Sequence, residues 1–421
     1  MQKVLIITYY WPPGGGAGVQ RWLKFAKYLP RSGWLPVVLT IDPDYATYPA
    51  LDKTLEKDIS KEIKVIRTRA TDWFRIYNKD KSKVPAAGFA KMSNKSLMEK
   101  LSRFIRGNFF IPDPRRGWNR HAYRKACQII SETGIDRVIT TSPPHSTQLI
   151  GLKLKKKFPG IKWIADFRDP WTDIYYYNRF YPTLPARMLD SFYERKVIRT
   201  VDRIITVGQT LKENLGSKIS GAENKIEVIT NGYDEADFTA DDEAAPQKLI
   251  ISYVGTLSES YPLDGLMEAL NALLQTGKDF ILRFAGEIPK DLKNLIINKL
   301  NLASIEFNPY LGHEEALRFI KGSSVLLLII PYHRSNKSIL TGKLYEYIAA
   351  GKPILCIGPV DGDAAGIINE TGTGKTFDYN DPDGILNFLL IGKDSFPGDK
   401  GNSISRYSRQ YLTGKVVKIL E

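Results

Sequence analysis

The sequence predicts an α/β protein made of two doubly wound parallel sheets in tandem. Three observations carry that expectation. The chain opens on a β-branched run, a glycine-rich break and an amphipathic helix, and then returns to an apolar run. The same alternation of short strands and longer helices restarts after residue 246. The length, 421 residues, suits two domains of ordinary size.

In the first half, Lys3 to Tyr9 reads as the opening strand. Pro12-Pro13-Gly14-Gly15-Gly16-Ala17-Gly18 breaks it. A helix follows from about Val19 to Leu29, with Trp22, Phe25, Ala26 and Leu29 inward at helical spacing. Further strands are expected at Pro36–Ile41, Lys64–Thr68, Arg137–Thr141, Trp163–Asp166, Arg203–Val207 and Ile226–Thr230, with helices such as Trp118–Thr133 and Leu184–Thr200 between them. Past Asn231-Gly232-Tyr233-Asp234, an acidic, alanine-rich stretch to Pro246 reads as a linker.

The second half repeats the pattern. Strands are expected at Leu249–Val254, Asp279–Ala285, Ser304–Phe307, Val325–Ile330 and Pro353–Ile357. Helices are expected at Pro262–Gln275, Lys290–Asn301, His313–Lys321 and Thr341–Ala350, and Ile404–Leu420 reads as one more. The expected domains are therefore 1–235 and 247–400, with 401–421 as a separate C-terminal helix.

Composition narrows the classes. With 43% hydrophobic and 25% charged residues the chain can bury two cores and is not a disordered protein. Its two cysteines, Cys127 and Cys356, fall in different halves and read as free thiols of a reducing compartment. His121, His145, His313 and His333 show no metal-ligand spacing, so no metal is expected. The N-terminal apolar run is too short for a signal peptide, and nothing reaches the ~18 apolar residues of a membrane span. A cytoplasmic protein is the expectation. Charge is uneven: residues 1–240 hold 41 Lys+Arg against 24 Asp+Glu, a net +17, and the remainder nets −3. A basic half implies an anionic partner. Region 70–117 concentrates these bases among Trp73, Phe74, Ile76, Tyr77, Phe104, Ile105, Phe109 and Phe110. It reads either as a surface lobe with its own small core or as an element lying on a membrane surface. Interleaved bases and aromatics can also bind single-stranded nucleic acid, but no other feature of the chain supports that reading.

Three motifs bear on chemistry. Glycines at 14–18, between a strand and a helix start, let a ligand approach the backbone at the positive end of a helix. A tight turn alone would also explain them, and no G-x-G-x-x-G can be placed there. Thr371-Gly372-Thr373-Gly374-Lys375-Thr376 ends like a phosphate loop but has Asn369 where the first glycine belongs, and is rejected. In the segment from Ser338 to Leu355, Thr341 can cap a helix that Gly351 ends. Lys343 then sits in the first turn, where the helix dipole disfavours a cation unless an anion is also bound. Glu346, three residues on, can accept the hydroxyls of a ribose; a surface ion pair with Lys343 is the plainer alternative.

That segment resembles the nucleotide-binding stretch of the GT-B glycosyltransferases, specifically the retaining group called family 4. Gly342-Lys343-Leu344-Tyr345-Glu346-Tyr347 is similar to a subset carrying S-K-L-x-E-Y. Gly14-Gly15-Gly16, Ser142-Pro143-Pro144-His145, Asp166-Phe167-Arg168-Asp169-Pro170-Trp171, Val228-Ile229-Thr230-Asn231-Gly232-Tyr233-Asp234 and Tyr253-Val254-Gly255-Thr256-Leu257 match further stretches, so the likeness covers nearly the whole chain. It departs at Ser338, where the family's first Glu would stand. It departs again at Thr256 and Ser260-Tyr261-Pro262, where the family commonly places an Arg and a Lys on the diphosphate; Lys343 is the best substitute, ahead of Arg334 and Lys337.

The resemblance implies two Rossmann-like domains facing a central cleft, with the C-terminal helix crossing back to the first. It implies transfer of a sugar with retention and without a metal or other cofactor, in cell-surface polysaccharide synthesis. The donor would be a nucleotide-diphosphate sugar, and the acceptor a glycan or a lipid-pyrophosphate-linked one. Catalytic roles fall on His145 and Lys343. Donor binding falls on Gly15, Gly16, Gly255, Thr256, Ser338, Thr341, Gly342, Lys343, Leu344 and Glu346, and the acceptor side on Gly14, Arg168 and Asp169. The basic half adds an anionic membrane surface, on the inner face of the cell membrane, as a partner. Two rival readings stand beside this one, a sugar-nucleotide epimerase of the same fold and an inactive scaffold.

Overall fold

Short β-branched runs buried on both faces favour parallel strands covered by helices, and the chain contains two such sets. The computed structural model describes residues 1–71, 97–238, 248–258, 261–300, 304–391 and 403–421. Trp73, Phe74, Ile76 and Tyr77, Ser260, and residues 239–246 of the expected linker lie outside them.

The described residues form two units, Met1–Thr230 with Arg409–Glu421, and Asn231–Ser408. In the first, strands β1 (Gln2–Ile7), β2 (Trp34–Ile41), β3 (Lys64–Thr68), β4 (Arg137–Ser142), β5 (Lys162–Phe167), β6 (Arg203–Thr206) and β7 (Ile226–Val228) pair in parallel in the order β3-β2-β1-β4-β5-β6-β7. Helices α1 (Ala17–Tyr28), α2 (Leu97–Phe109), α3 (Asn119–Thr133), α4 (Ser146–Lys157), α5 (Leu184–Thr200) and α6 (Gln209–Ser217) belong to the same unit. Val4 to Ile7 are fully buried, with Trp22, Phe25, Ala26 and Leu29 packed in the same core.

In the second unit, β8 (Leu249–Val254), β9 (Phe280–Ala285), β10 (Ser304–Asn308), β11 (Val325–Ile329), β12 (Ile354–Ile357) and β13 (Gly374–Phe377) form a parallel sheet ordered β10-β9-β8-β11-β12-β13. Its helices are α7 (Asp264–Gln275), α8 (Lys290–Lys299), α9 (His313–Lys321), α10 (Gly342–Ala349), α11 (Asp363–Thr371) and α12 (Pro382–Ile391). The rejected phosphate-loop look-alike ends in β13, an edge strand whose Gly374 lies so close to β12 that an added Cβ would meet Ile354 O at 2.0 Å.

Two expectations need correcting. The first unit ends at Thr230, not 235: Tyr233 donates its N–H to Tyr407 O at 3.1 Å, which ties the stretch after Thr230 to the second unit. Ile404–Leu420 is also not one helix. A 3-10 turn, Ile404–Tyr407, is followed by Ser408 in extended conformation and then by α13 (Arg409–Leu420). The turn stays with the second unit, whereas Leu412, Val416, Ile419 and Leu420 of α13 join the core of the first.

In both sheets strand order reverses beside the first strand, between β1 and β4 and between β8 and β11. At such a switch point the loops leaving the carboxyl ends of the two strands diverge and leave a crevice. Gly14–Gly18 and Ser142–His145 leave one pair of strands; Gly255–Thr256 and the stretch leading to Thr341 leave the other.

Candidate functional site

The second unit gathers most of the expected donor residues. β8 ends at Val254, whose N–H donates to Tyr347 Oη at 3.0 Å. Gly255 follows with φ +129, and an added Cβ would meet Lys343 Nζ at 2.9 Å. The backbone conformation favours glycine there, and a larger residue would also push the tip of the lysine aside. Gly286, after β9, packs its backbone on Gly255: a Cβ on it would meet Gly255 O at 2.4 Å. Lys343 Nζ lies 3.8 Å from the Tyr253 ring centroid, a cation–π contact. Burial pushes the Lys343 pKa down to about 7, with Glu346 pulling it back up. Thr256 is exposed, and its carbonyl accepts from Tyr253 Oη at 3.1 Å.

Thr341 occupies the N-cap position of α10, but its hydroxyl does not cap the helix. That hydroxyl is instead buried without a hydrogen-bond partner among the described residues. Such groups are uncommon and mark places where a ligand or water completes the bonding. Gly342 begins the helix; the Leu344 N–H donates to Thr341 O at 3.2 Å, and the Leu344 side chain is core. Ser338 sits in a 3-10 turn and donates its hydroxyl to Ser335 O at 3.3 Å. Lys337 is engaged with Asp361 at the surface.

Glu346 has a neighbour that sequence reasoning missed. His313, the first residue of α9, places Nδ1 4.0 Å from Glu346 Oε1 and Nε2 2.9 Å from Asp237 Oδ2. A carboxylate, an imidazole and a second carboxylate thus stand in a row. The available signal was Gly312-His313-Glu314-Glu315, where Glu315 accepts the Gly312 N–H at 3.2 Å and fixes the helix start at the histidine.

In the first unit the glycine loop divides in two. Gly14 and Gly15 pack on the stretch around 48–52, Gly15 donating its N–H to Ala50 O at 2.9 Å. Gly16, exposed and at φ +86, leads into α1, and a Cβ there would meet nothing within 4 Å among the described residues. Arg168 spends its guanidinium on tethering: it donates to Gly18 O at 2.6 Å, Ser142 O at 3.0 Å and Pro143 O at 2.8 Å. This acceptor-side candidate binds the two switch-point loops to each other, because every nitrogen of its fork meets a backbone carbonyl.

His145 stacks on Trp171 with ring centroids 5.1 Å apart. Burial, then Arg168, pushes its pKa down to about 3, so the imidazole is neutral at physiological pH. A base so weakened holds a proton poorly, which suits a positioning group better than a general base. His145, Asp169, Trp171, Tyr176 and Asp190 line a cavity of about 140 Å³. Burial raises the Asp169 carboxyl, and Arg168 opposes this. Asp190 accepts from Trp171 Nε1 at 2.7 Å and Tyr177 Oη at 3.0 Å, which fixes the ring under His145.

The first unit also holds a buried network that was not foreseen. Asp166 accepts from Arg21 (Nη2, 2.9 Å), Trp22 (Nε1, 2.7 Å) and Thr141 (Oγ1, 2.7 Å), and the Arg21–Asp166 pair is wholly buried. Arg21 also donates to the carbonyls of Ile229 and Thr230 at 2.8 Å each.

Two parallel sheets in tandem, each with its own switch point, have the architecture of the GT-B fold. A model of Glycosyltransferase Family 4 matches residues 86–237, and one of glycosyl transferases group 1 matches 234–389. The chain belongs to the family-4-like GT-B glycosyltransferases. Solved structures agree in fold. A glycosyltransferase from Rickettsia africae is 17% identical with a TM-score of 0.60, over 100% of this chain and 97% of that one. Anabaena HepE, in complex with UDP and glucose, is 12% identical with a TM-score of 0.61, over 100% and 99%. The lipopolysaccharide outer core galactosyltransferase WaaB, in its apo form, is 14% identical with a TM-score of 0.59, over 100% and 99%. A comparison with curated proteins finds no sequence match.

Proposed function

We propose that this glycosyltransferase takes a nucleotide-diphosphate sugar on its second unit and passes the sugar, with retention and without a metal, to a glycan or lipid-pyrophosphate-linked acceptor in cell-surface polysaccharide synthesis. The carrying observation is the Lys343 ammonium, held against Gly255 and the Tyr253 ring at the start of α10, one turn ahead of Glu346. A half-buried cation at a helix N-terminus is unfavourable by itself and becomes favourable when a diphosphate shares the site.

In this reading Lys343 and the unsatisfied Thr341 hydroxyl meet the diphosphate, and Glu346 takes the ribose. The developing charge on the leaving group is met by a cation already in place, which lowers the barrier without reorganisation. In a retaining reaction the departing phosphate can itself help to remove the acceptor proton, so the weak base His145 serves as a positioning group. His145 and Asp169 belong to the acceptor side, with the basic first unit working at an anionic membrane surface.

Calorimetry with UDP-sugars and GDP-sugars on Glu346→Ala tests the donor assignment. Each hydrogen bond to a charged group contributes roughly 1.5–3 kcal/mol, so affinity should fall at least about tenfold while the melting temperature holds. Unchanged affinity would sink it. Product anomer analysis by NMR decides retention.

A further inference from the structure

We propose that the outer face of α5, together with α2 and a basic cavity beside the end of α5, is the surface by which the protein lies on an anionic lipid bilayer. The proposal deepens the membrane setting suggested above, rests on that reading for its purpose, and places the contact on an element not previously implicated.

A surface helix ordinarily turns polar residues outward and apolar residues inward. Helix α5 departs from this, with large apolar side chains facing outward as well as inward. Its exposed positions include Leu184 (71% exposed), Met188 (64%), Leu189 (41%) and Phe192 (54%), alongside the exposed bases Arg187, Arg195, Lys196 and Arg199. Its two acids, Asp190 and Glu194, are both buried. Asp190 is taken up by Trp171 and Tyr177, and Glu194 by Thr172 and Lys218. The outer face is thus apolar and basic with no acid, the pattern of a helix lying in a lipid interface. Lys196 Nζ lies 5.3 Å from the Phe192 ring centroid, so the bases border the apolar strip directly.

Helix α2 extends this platform. Leu97, Met98 and Leu101 are more than half exposed, and its acid Glu99 lies 3.6 Å from Arg103. The two helices are fastened together. Gly107 lets the chain pass so close that a Cβ there would meet Phe180 O at 2.3 Å. Asn108 donates to Tyr181 O at 3.1 Å and accepts from the N–H and hydroxyl of Thr183, the residue just before α5, at 2.8 and 2.7 Å.

Near the C-terminal end of α5 lies a cavity of about 670 Å³ with Leu149, Leu152 and Tyr193 in its walls and Arg120, Lys153 and Lys196 among its bases. That volume suits a phospholipid headgroup, and the charge requires an anionic one. A second copy packed on this face by a two-fold axis would set Arg187, Arg195 and Lys196 near their own equivalents, which is repulsive. Among the described residues no helix is long and apolar enough to cross a membrane, so this contact lies along the bilayer.

Co-sedimentation tests the inference, using vesicles of phosphatidylcholine alone and of equal parts phosphatidylcholine and phosphatidylglycerol. The intact protein should bind the anionic vesicles at least about tenfold more tightly, with salt weakening the binding. The triple substitution Leu184→Glu, Met188→Glu, Phe192→Glu should lower that binding about tenfold or more, and Arg187→Glu, Arg195→Glu, Lys196→Glu should abolish the preference for anionic lipid. Both variants alter exposed side chains and should melt with the parent. Nucleotide release from the donor, measured without vesicles, should be unchanged in both. Equal binding to both vesicle types, or wild-type binding by the apolar variant, overturns the proposal. So does a dimer in ultracentrifugation that the apolar variant dissolves without vesicle binding by the parent. Failure of nucleotide release in the parent would strike the enzymatic reading and leave the vesicle result standing.

Discussion

Lys343 should make donor binding a proton-uptake reaction. Its pKa is held near 7 by burial, so at pH 8 about nine-tenths of the free protein carries a neutral amine there. A nucleotide diphosphate placed against Nζ restores the charged form, because an opposite charge at contact distance favours it. Binding at pH 8 should then take up close to one proton, and binding at pH 6 only about a tenth of one. Affinity should fall by up to about tenfold per unit above pH 7. The assay is calorimetry at pH 6 and pH 8 in buffers of different ionisation enthalpy. The ligand should be an intact UDP-sugar, whose phosphodiester oxygens do not titrate in this range. Lys343→Met should abolish the buffer dependence along with most of the turnover. Stability carries the same signature. Below pH 7 both folded and unfolded chains hold the proton, and the folded state bears the full burial cost. Between pH 7 and the ordinary lysine range the unfolded chain alone holds it, so that handicap shrinks as pH rises. Unliganded Lys343→Met should accordingly melt higher than the parent, most clearly below pH 7. A buffer-independent enthalpy at pH 8, or the same uptake in Lys343→Met, would refute the reasoning.

Three further outcomes follow from the packing. Asp166→Ala strands the wholly buried Arg21 and should cost roughly 3–5 kcal/mol; at ~2–4 °C per kcal/mol the first unit should melt ~6–20 °C lower, and a loss under 1 kcal/mol in urea would mean that the network is not structural. Gly255→Ala strains the backbone at φ +129 and displaces the tip of Lys343, so nucleotide affinity should drop at least about tenfold, and parental affinity would show that donor binding does not depend on this turn or on where it holds the lysine. Burial raises Asp190 to about 7, so the folded protein holds a proton that the unfolded chain releases near pH 4, and stability should decline from pH 4 to pH 7. Asp190→Asn should flatten that decline in thermal melts, and an unaltered slope would assign it to another group.

Much of this architecture was legible because period and punctuation agree along the chain. Leu184–Thr200, Leu249–Val254 and His313–Lys321 have the same bounds in sequence reading and structure. What escaped depends on partners distant in sequence or on orientation. The strand Gly374–Phe377 hides behind two glycines and a lysine, and its edge position shows only once β12 is beside it. The Arg21–Asp166 pair spans 145 residues, and the His313–Asp237 contact 76, so no local pattern announces either. Helix α5 is the sharpest case. Leu184, Met188 and Phe192 recur every four residues and on periodicity alone would be assigned to the core, yet the core-facing side carries Ala186, Asp190, Glu194 and Val197. Periodicity finds a stripe, but not which way it faces.

The return of α13 to the first unit has a consequence for how the protein is made. Arg137 Nε donates to Leu420 O at 2.6 Å, and Leu412, Val416 and Ile419 are buried in the same core as Trp22 and Phe25. A ribosome releases residues 1–230 before the second unit exists, and α13 only after it. The emerging first unit must therefore wait with the seat of α13 uncovered while the whole second unit is translated, an interval of ~10–40 s at ~5–20 residues per second. During that time an apolar gap on a nascent chain invites holding chaperones or premature association. A circular permutant that attaches residues 409–421 ahead of Met1 would remove the delay, and it should refold with less aggregation than the natural order.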